Sequence, residues 1–179
     1  PSAETLGAIA VIGVEGAVLS GYDVCSTSAR PLPAGVQECG EAAYEALRIE
    51  AGLPVMGREL TGATIPAEAG VVDRTVSFTK GCYTGQELVA RIDSRGGNVA
   101  RHLRGIVVDG QDEAPVGAAI VVNGDTAGEV TSAAFSPGFG AWVALGYVHR
   151  RVEPPAAATV ERADGPPVGA RILDLPMVP

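Results

Sequence analysis

The sequence predicts an α+β fold, with a mixed first half of hairpin, helix and loop and a second half built from short strands. Three observations predict it. Residues 36–51 place apolar side chains at helical spacing. Beyond residue 101, six short runs rich in Val, Ala, Leu and Ile alternate with Gly, Pro and Asn-Gly turn signals. Of the 179 residues 46% are apolar but only 4% aromatic, so the core must be aliphatic. The length suits one sizeable domain or two small ones.

Taken in order, residues 6–20 are apolar and punctuated by glycine: Ala8, Ile9, Val11, Ile12 and Val14, then Ala17, Val18 and Leu19. Glu15-Gly16 between the two runs predicts a β-hairpin turn. A loop with Pro31, Pro33 and Gly35 follows. The spacing of Val36, Cys39, Ala43 and Leu47 predicts a helix over 36–51 with one apolar stripe. Gly52 fits the position just past its end, and Pro54 is a normal stop signal. Residues 53–70, with Pro54, Gly57, Gly62 and Pro66, read as loop. Residues 71–79 are expected to include a short strand, and 86–92 has helical or strand character. Residues 93–98, Asp-Ser-Arg-Gly-Gly-Asn, read as a turn or flexible link.

The second half supplies six strand candidates: 103–108, 118–122, 129–134, 142–148, 159–162 and 169–173. They are separated by Asp109-Gly110, Asn123-Gly124, Ser136-Pro137-Gly138 and Asp164-Gly165. Strands at this spacing suggest a small barrel or sandwich, and a barrel closes its own edges. The change of texture places a domain boundary near residues 98–102, dividing 1–100 from 101–179. No repeat of solenoid spacing is present.

The formal charge of −8 and pI near 4.7 argue against a broad nucleic-acid footprint, which needs clustered Lys and Arg. They leave room for a small anionic ligand held locally. Cys25, Cys39 and Cys82 are odd in number and far apart, and His102 and His149 are isolated. Neither a disulfide framework nor a zinc site follows from such spacing. No run reaches membrane-spanning length. The start, Pro1-Ser2-Ala3-Glu4, reads as a processed or excised chain, and the expected compartment is the cytoplasm.

Chemistry-bearing residues concentrate in two places. Lys80 is the single lysine among thirteen basic residues. It opens Lys80-Gly81-Cys82-Tyr83-Thr84-Gly85-Gln86-Glu87, where a compact, tunable cation sits beside a thiol and glycines permit close ligand approach. Lys80 could favour a Cys82 thiolate, as a nucleophile or redox-sensitive thiol would need. Equally, a lone lysine can simply be a solvated surface residue, and a free cysteine is more often buried as a small hydrophobe. Gln86 and Glu87 add an amide and a carboxylate, or merely bond the loop backbone. The second place is Glu50, which continues the helix stripe and sits in the last turn, where the macrodipole disfavours negative charge. Broken local rules tend to mark functional sites; the plainer alternative is pairing with Arg48 or Arg58. Arg91, Arg95, Arg101 and Arg104 form a basic run able to meet a carboxylate tail, or to pair with the chain's own acids.

The order of these motifs resembles a known family. Leu47-Arg48-Ile49-Glu50-Ala51-Gly52-Leu53-Pro54, Gly57, Thr64-Ile65-Pro66-Ala67-Glu68, Val76-Ser77-Phe78-Thr79 with the Lys80–Glu87 octet, Val89-Ala90-Arg91 and Arg95-Gly96 are similar to YgfZ-type folate-binding proteins. These are relatives of the glycine cleavage T-protein, an aminomethyltransferase. Val130, Ser136-Pro137, Ala144-Leu145-Gly146-Tyr147-Val148 and Leu175-Pro176 resemble that superfamily's C-terminal barrel. The resemblance covers roughly residues 36–176. It implies a partial aminomethyltransferase-like folate-binding domain lacking most of its N-terminal part, followed by a small antiparallel β-barrel. It further implies tetrahydrofolate or a derivative as cofactor, with Glu50 contacting the pterin and Gln86, Glu87 and Arg101 as further binding residues. The spacing from Arg95 to Arg101 departs slightly from the family's. Cys82, with Lys80, becomes the functional thiol. The family's role implies iron–sulfur proteins or their assembly machinery as partners, alongside the missing N-terminal half, and through them tRNA modification. No direct nucleic-acid, membrane or metal contact is implied. The alternatives are a tetrahydrofolate-dependent aminomethyltransferase of glycine cleavage type and a non-catalytic docking fragment.

Overall fold

The computed structural model describes residues 10–15, 20–28 and 34–177, with backbone only at 10–15. The opening residues, the Glu15-Gly16 turn with residues 17–19, and Pro31 and Pro33 lie outside the described residues. Strands β1 (Ala10–Glu15) and β2 (Ser20–Cys25) form an antiparallel hairpin in the register Ala10 to Cys25.

Helix α1 (Glu41–Glu50) is shorter than the predicted span and buries a different face. Ala46, Arg48, Ile49 and Glu50 are buried, whereas Val36, Cys39, Ala43 and Leu47 are exposed. The expected stripe is therefore on the wrong side. The physical reason is that Arg48 and Glu50 find partners inside and carry Ile49 with them. The helix stops as expected. Gly52 takes φ +69°, its N–H donates to Ile49 O (3.0 Å) and Leu53 N–H to Arg48 O (2.9 Å), the paired bonds of a Schellman cap.

Residues 71–79 hold no strand; their regular part is a single helical turn, α2 (Val72–Thr75). Helix α3 (Gln86–Asp93) follows and has no buried residue. Gly96 and Gly97 then take positive φ in the turn before the barrel.

All six strands of the second half are present: β3 (Arg101–Val108), β4 (Ala119–Val122), β5 (Asp125–Ser136), β6 (Ala141–His149), β7 (Ala156–Arg162) and β8 (Gly165–Leu173). They close into an antiparallel barrel in the order β3-β6-β5-β4-β7-β8. Asn123 and Gly124 both take positive φ in the two-residue turn between β4 and β5, the geometry a tight hairpin requires.

Alternate residues divide between two cores. Ile106, Ile120, Val130, Ala144, Val148, Val160 and Ile172 form one cluster. Leu103, Val107, Val143, Leu145 and Tyr147 form a second with Ala46 and Ile49 of α1 and Met177. Strand β6 contributes alternate residues to both clusters, which explains why it is almost continuously buried. Burial of Ile49 alone contributes about 2 kcal/mol by side-chain transfer. The C-terminal segment completes the junction: Met177 N–H donates to Glu50 O at 2.8 Å. Among the described residues, no helix is long and apolar enough to cross a membrane.

Candidate functional site

The junction between α1 and the barrel collects Arg48, Glu50, Glu59, Ser132 and Ser136, most of the buried polar residues among those described. Glu50, 9% exposed, ends α1 against the β5–β6 hairpin. Ser136 Oγ donates a short hydrogen bond to Glu50 Oε1, and Phe139 N–H donates to Ser136 Oγ at 3.0 Å. The expected arginine partners of Glu50 are engaged elsewhere, which corrects the ion-pair alternative. Arg48, fully buried, donates from Nε to Glu45 Oε1 at 3.1 Å and from Nη2 to Glu45 Oε2 at 2.8 Å. Its Nη1 donates to Leu53 O at 2.9 Å and reaches Glu59 Oε2 at 3.4 Å. Arg58 joins Glu45 at 2.6 Å. These two guanidiniums hold the Glu45 carboxyl below its usual range, Arg48 contributing most and partial burial opposing.

Glu59 is a second buried carboxylate, and sequence reasoning missed it. It is fully enclosed. Ser132 Oγ donates to Oε1 at 2.5 Å and Thr131 Oγ at 2.9 Å, while Val55 N–H donates to Oε2 at 3.0 Å. A β-bulge between Val130 and Ser132 turns this part of β5 toward the loop. Tyr147 Oη donates to Glu59 O at 2.9 Å, and burial pushes the phenol above its usual value. The available signal was small: two serines, 132 and 136, alternate with buried aliphatic residues on the inward face of β5.

Arg101 opens β3. Its Nε donates to Glu68 Oε2 at 3.0 Å, and its guanidinium lies 4.4 Å from the Tyr147 ring centroid. Arg104 pairs with Asp174 at 2.9 Å. Half of the basic run thus meets the chain's own acids. Arg91 and Arg95 are exposed and carry no ion pair among the described residues.

The octet lies apart from this junction. Lys80, Cys82 and Glu87 are exposed, while Tyr83 and Gln86 are half-buried. Cys82 is a free, exposed thiol, contrary to the burial expected from cysteine chemistry alone; the segment around it never enters a core. Lys80 Nζ sits 4.8 Å from the Tyr83 ring centroid, a cation–π contact. An open groove runs past Cys82, Tyr83, Gln86, Glu87 and Arg91. No hydrogen bond or ion pair joins the octet to Glu50 among the described residues. Nor is there any cluster of three or more His, Cys, Asp or Glu able to hold a metal among them.

Comparison with known proteins gives these features a lineage. Residues 101–179 match the glycine cleavage T-protein C-terminal barrel domain family. The chain is 37% identical over 130 residues to an aminomethyltransferase of Streptomyces avermitilis, covering 72% of this chain and 35% of the relative. It is 33% identical over 147 residues to an aminomethyltransferase of Rubrobacter xylanophilus, covering 82% of this chain and 38% of the relative. The crystal structure of glycine cleavage system aminomethyltransferase T from Bartonella henselae superposes with a TM-score of 0.65 at 28% identity, over 75% of this chain and 37% of that one. The chain thus spans about a third of the length of the relatives it matches. Residues 101–179 match the glycine cleavage T-protein C-terminal barrel domain, and the chain is similar to a part of aminomethyltransferases of the glycine cleavage T-protein superfamily.

Proposed function

We propose that the chain is part of a tetrahydrofolate-dependent one-carbon protein of aminomethyltransferase type, in which Glu50 accepts the donor edge of the pterin. The observation that carries this reading is the setting of Glu50: buried at a helix end and oriented through one oxygen by Ser136. An ionised carboxylate offers acceptors only. The ring N–H and amino group of a pterin form a donor edge that the free oxygen of such a group can receive. The work of this chain is then to bind and orient, with residues 1–100 as the end of the folate-binding domain and 101–179 as its barrel. Gln86, Glu87 and Arg101 are proposed as further contacts, Arg101 toward the acidic tail. The relatives are named aminomethyltransferases, which favours aminomethyl transfer as the whole protein's activity, with tetrahydrofolate, the cofactor that the family resemblance implies, as the acceptor.

Calorimetric titration of tetrahydrofolate tests this. The chain is measured alone and fused behind the region that precedes the match in the Streptomyces avermitilis relative, each with and without Glu50→Gln. Binding that weakens at least tenfold on Glu50→Gln is expected. Equal affinity for both forms would overturn the assignment of Glu50.

A specific observation keeps a second reading. The octet from Lys80 to Glu87 presents an exposed thiol on a segment that packs into neither core. That suits a cytoplasmic, YgfZ-type accessory factor, with Cys82 and Lys80 acting in iron–sulfur assembly or repair and thereby in tRNA modification. Full rescue of a strain lacking the protein by Cys82→Ala would exclude it.

A further inference from the structure

Strand β5 carries two fully buried serines, Ser132 and Ser136, four positions apart and therefore on one face. Each donates to a carboxylate from outside the barrel, Ser132 to Glu59 and Ser136 to Glu50. The two carboxylates differ in what remains open. Glu59 receives donors on both oxygens, from Ser132, Thr131, Val55 N–H and Arg48. Glu50 receives its side-chain donor on Oε1 only. Among the described residues its Oε2 has no protein donor and no sealed side-chain oxygen lacks a partner, so Oε2 is open to a ligand or to water.

The direction of the bonds is fixed by the backbone. Phe139 N–H donates to Ser136 Oγ, so the single hydroxyl proton is left to point at Glu50. A chain of donor, hydroxyl and carboxylate results, each bond polarising the next. It holds the carboxylate at one rotation about its terminal bond, which is otherwise soft. Gly138 lies alongside: a Cβ there would stand 3.9 Å from Glu50 Oε1.

We propose that Ser136 is a positioning residue for the ligand at Glu50. The barrel hairpin from Ser136 to Phe139 sets the carboxylate so that Oε2 meets the ligand's donor edge, whereas Ser132 supports the fold alone. This rests on the folate reading above and adds a residue from the barrel domain to that pocket. It also makes recognition of the amino group on the pterin depend on a side chain that does not touch it.

The test is a double-mutant cycle on tetrahydrofolate affinity, using Ser136→Ala, Glu50→Gln and the pair, with Ser132→Ala as control. Each is measured in the form of the protein that binds, against tetrahydrofolate and its 2-desamino analogue. Ser136→Ala is expected to raise Kd by roughly fivefold or more and to have no further effect once Glu50 is Gln, because coupled residues are not additive. It is also expected to narrow the preference for tetrahydrofolate over the analogue. Ser132→Ala lowers the melting temperature and leaves Kd within twofold. If Ser136→Ala does not fold, Ser136→Cys keeps a weaker donor in similar volume and is expected to shift Kd in the same direction. An unchanged Kd, or an equal loss in both Glu50 backgrounds, overturns the positioning role while leaving Glu50 as the acceptor. An unchanged Kd on Glu50→Gln itself removes the folate reading, and this proposal with it.

Discussion

Replacing Glu59 by Ala and by Gln separates charge from hydrogen bonding at the buried junction. The carboxylate faces two kinds of donor. On the Oε2 side are Val55 N–H at 3.0 Å and Arg48 Nη1 at 3.4 Å, which can only donate. On the Oε1 side are the Ser132 and Thr131 hydroxyls, at 2.5 and 2.9 Å, which can rotate and accept. Thr131 has a second acceptor ready, Leu145 O at 3.1 Å. A glutamine therefore keeps its oxygen toward Val55 and Arg48 and turns its NH₂ toward the hydroxyls. Arg48 retains both bonds to Glu45. Glu59→Gln should then cost only the charge-assisted part, about 1–2 kcal/mol. Glu59→Ala leaves Val55 N–H and Ser132 unsatisfied, removes one partner of a buried ion pair and opens a void, about 3–5 kcal/mol in all. Since about 1 kcal/mol moves Tm by roughly 2–4 °C in a domain of this size, the two variants should melt several degrees apart. Urea unfolding followed by circular dichroism, with m held constant, gives the free energies. A cost below about 1 kcal/mol for Glu59→Ala, or equal costs for both variants, would refute the donor accounting.

Three further outcomes follow from local geometry. Gly52→Ala should destabilise by about 1–2 kcal/mol in the same assay, because φ is +69° and the new Cβ would meet Leu175 Cβ at 2.8 Å. Tyr147→Phe should cost about 1 kcal/mol through loss of the bond to Glu59 O, and a neutral result would mean that water replaces it. Acid should weaken the fold in two windows. Burial, aided by Arg104, holds the His102 pKa below its usual 6.5, so the unfolded chain takes up the proton first and stability falls as pH drops from near neutral through that value. His102→Gln should flatten this limb of the stability–pH curve. Glu45, held low by Arg48 and Arg58, contributes stability above its unfolded pKa that is lost as pH falls through the lower folded value. An unaltered slope above pH ~6 in His102→Gln would reject the first assignment.

The barrel was legible because its determinants are local. Asn123-Gly124 demands a tight turn wherever it stands, and each strand carries its own apolar run. The helix was legible in existence and in its stop, but not in its buried face. Glu50 stood out by its place on the stripe and at the helix end, but its partner could not be read, because Ser136 stands 86 positions away; Arg48 is buried through nearer partners, Glu45, Leu53 and Glu59, that no periodicity announces. Glu59 itself carried no signal because its loop has no periodicity, and the faint hint lay in its partners, since its four donors come from α1, the loop and β5. At the octet, the motif was visible but the exposure of Cys82 was not, since exposure depends on what the segment fails to pack against.

Closure of the barrel ties β3 to β8 by direct pairing, Gly105 to Leu173 through Val108 to Ala170. During synthesis, Ile106, Val107 and Val108 emerge well before the strand that covers their open edge. At about 5–20 residues per second the ribosome needs several seconds to deliver it. Throughout that interval an aliphatic edge stands ready to pair with any other nascent chain. Expression at reduced temperature, or with a chaperone that shields strand edges, should therefore raise the yield of native protein more than any stabilising substitution within the finished barrel.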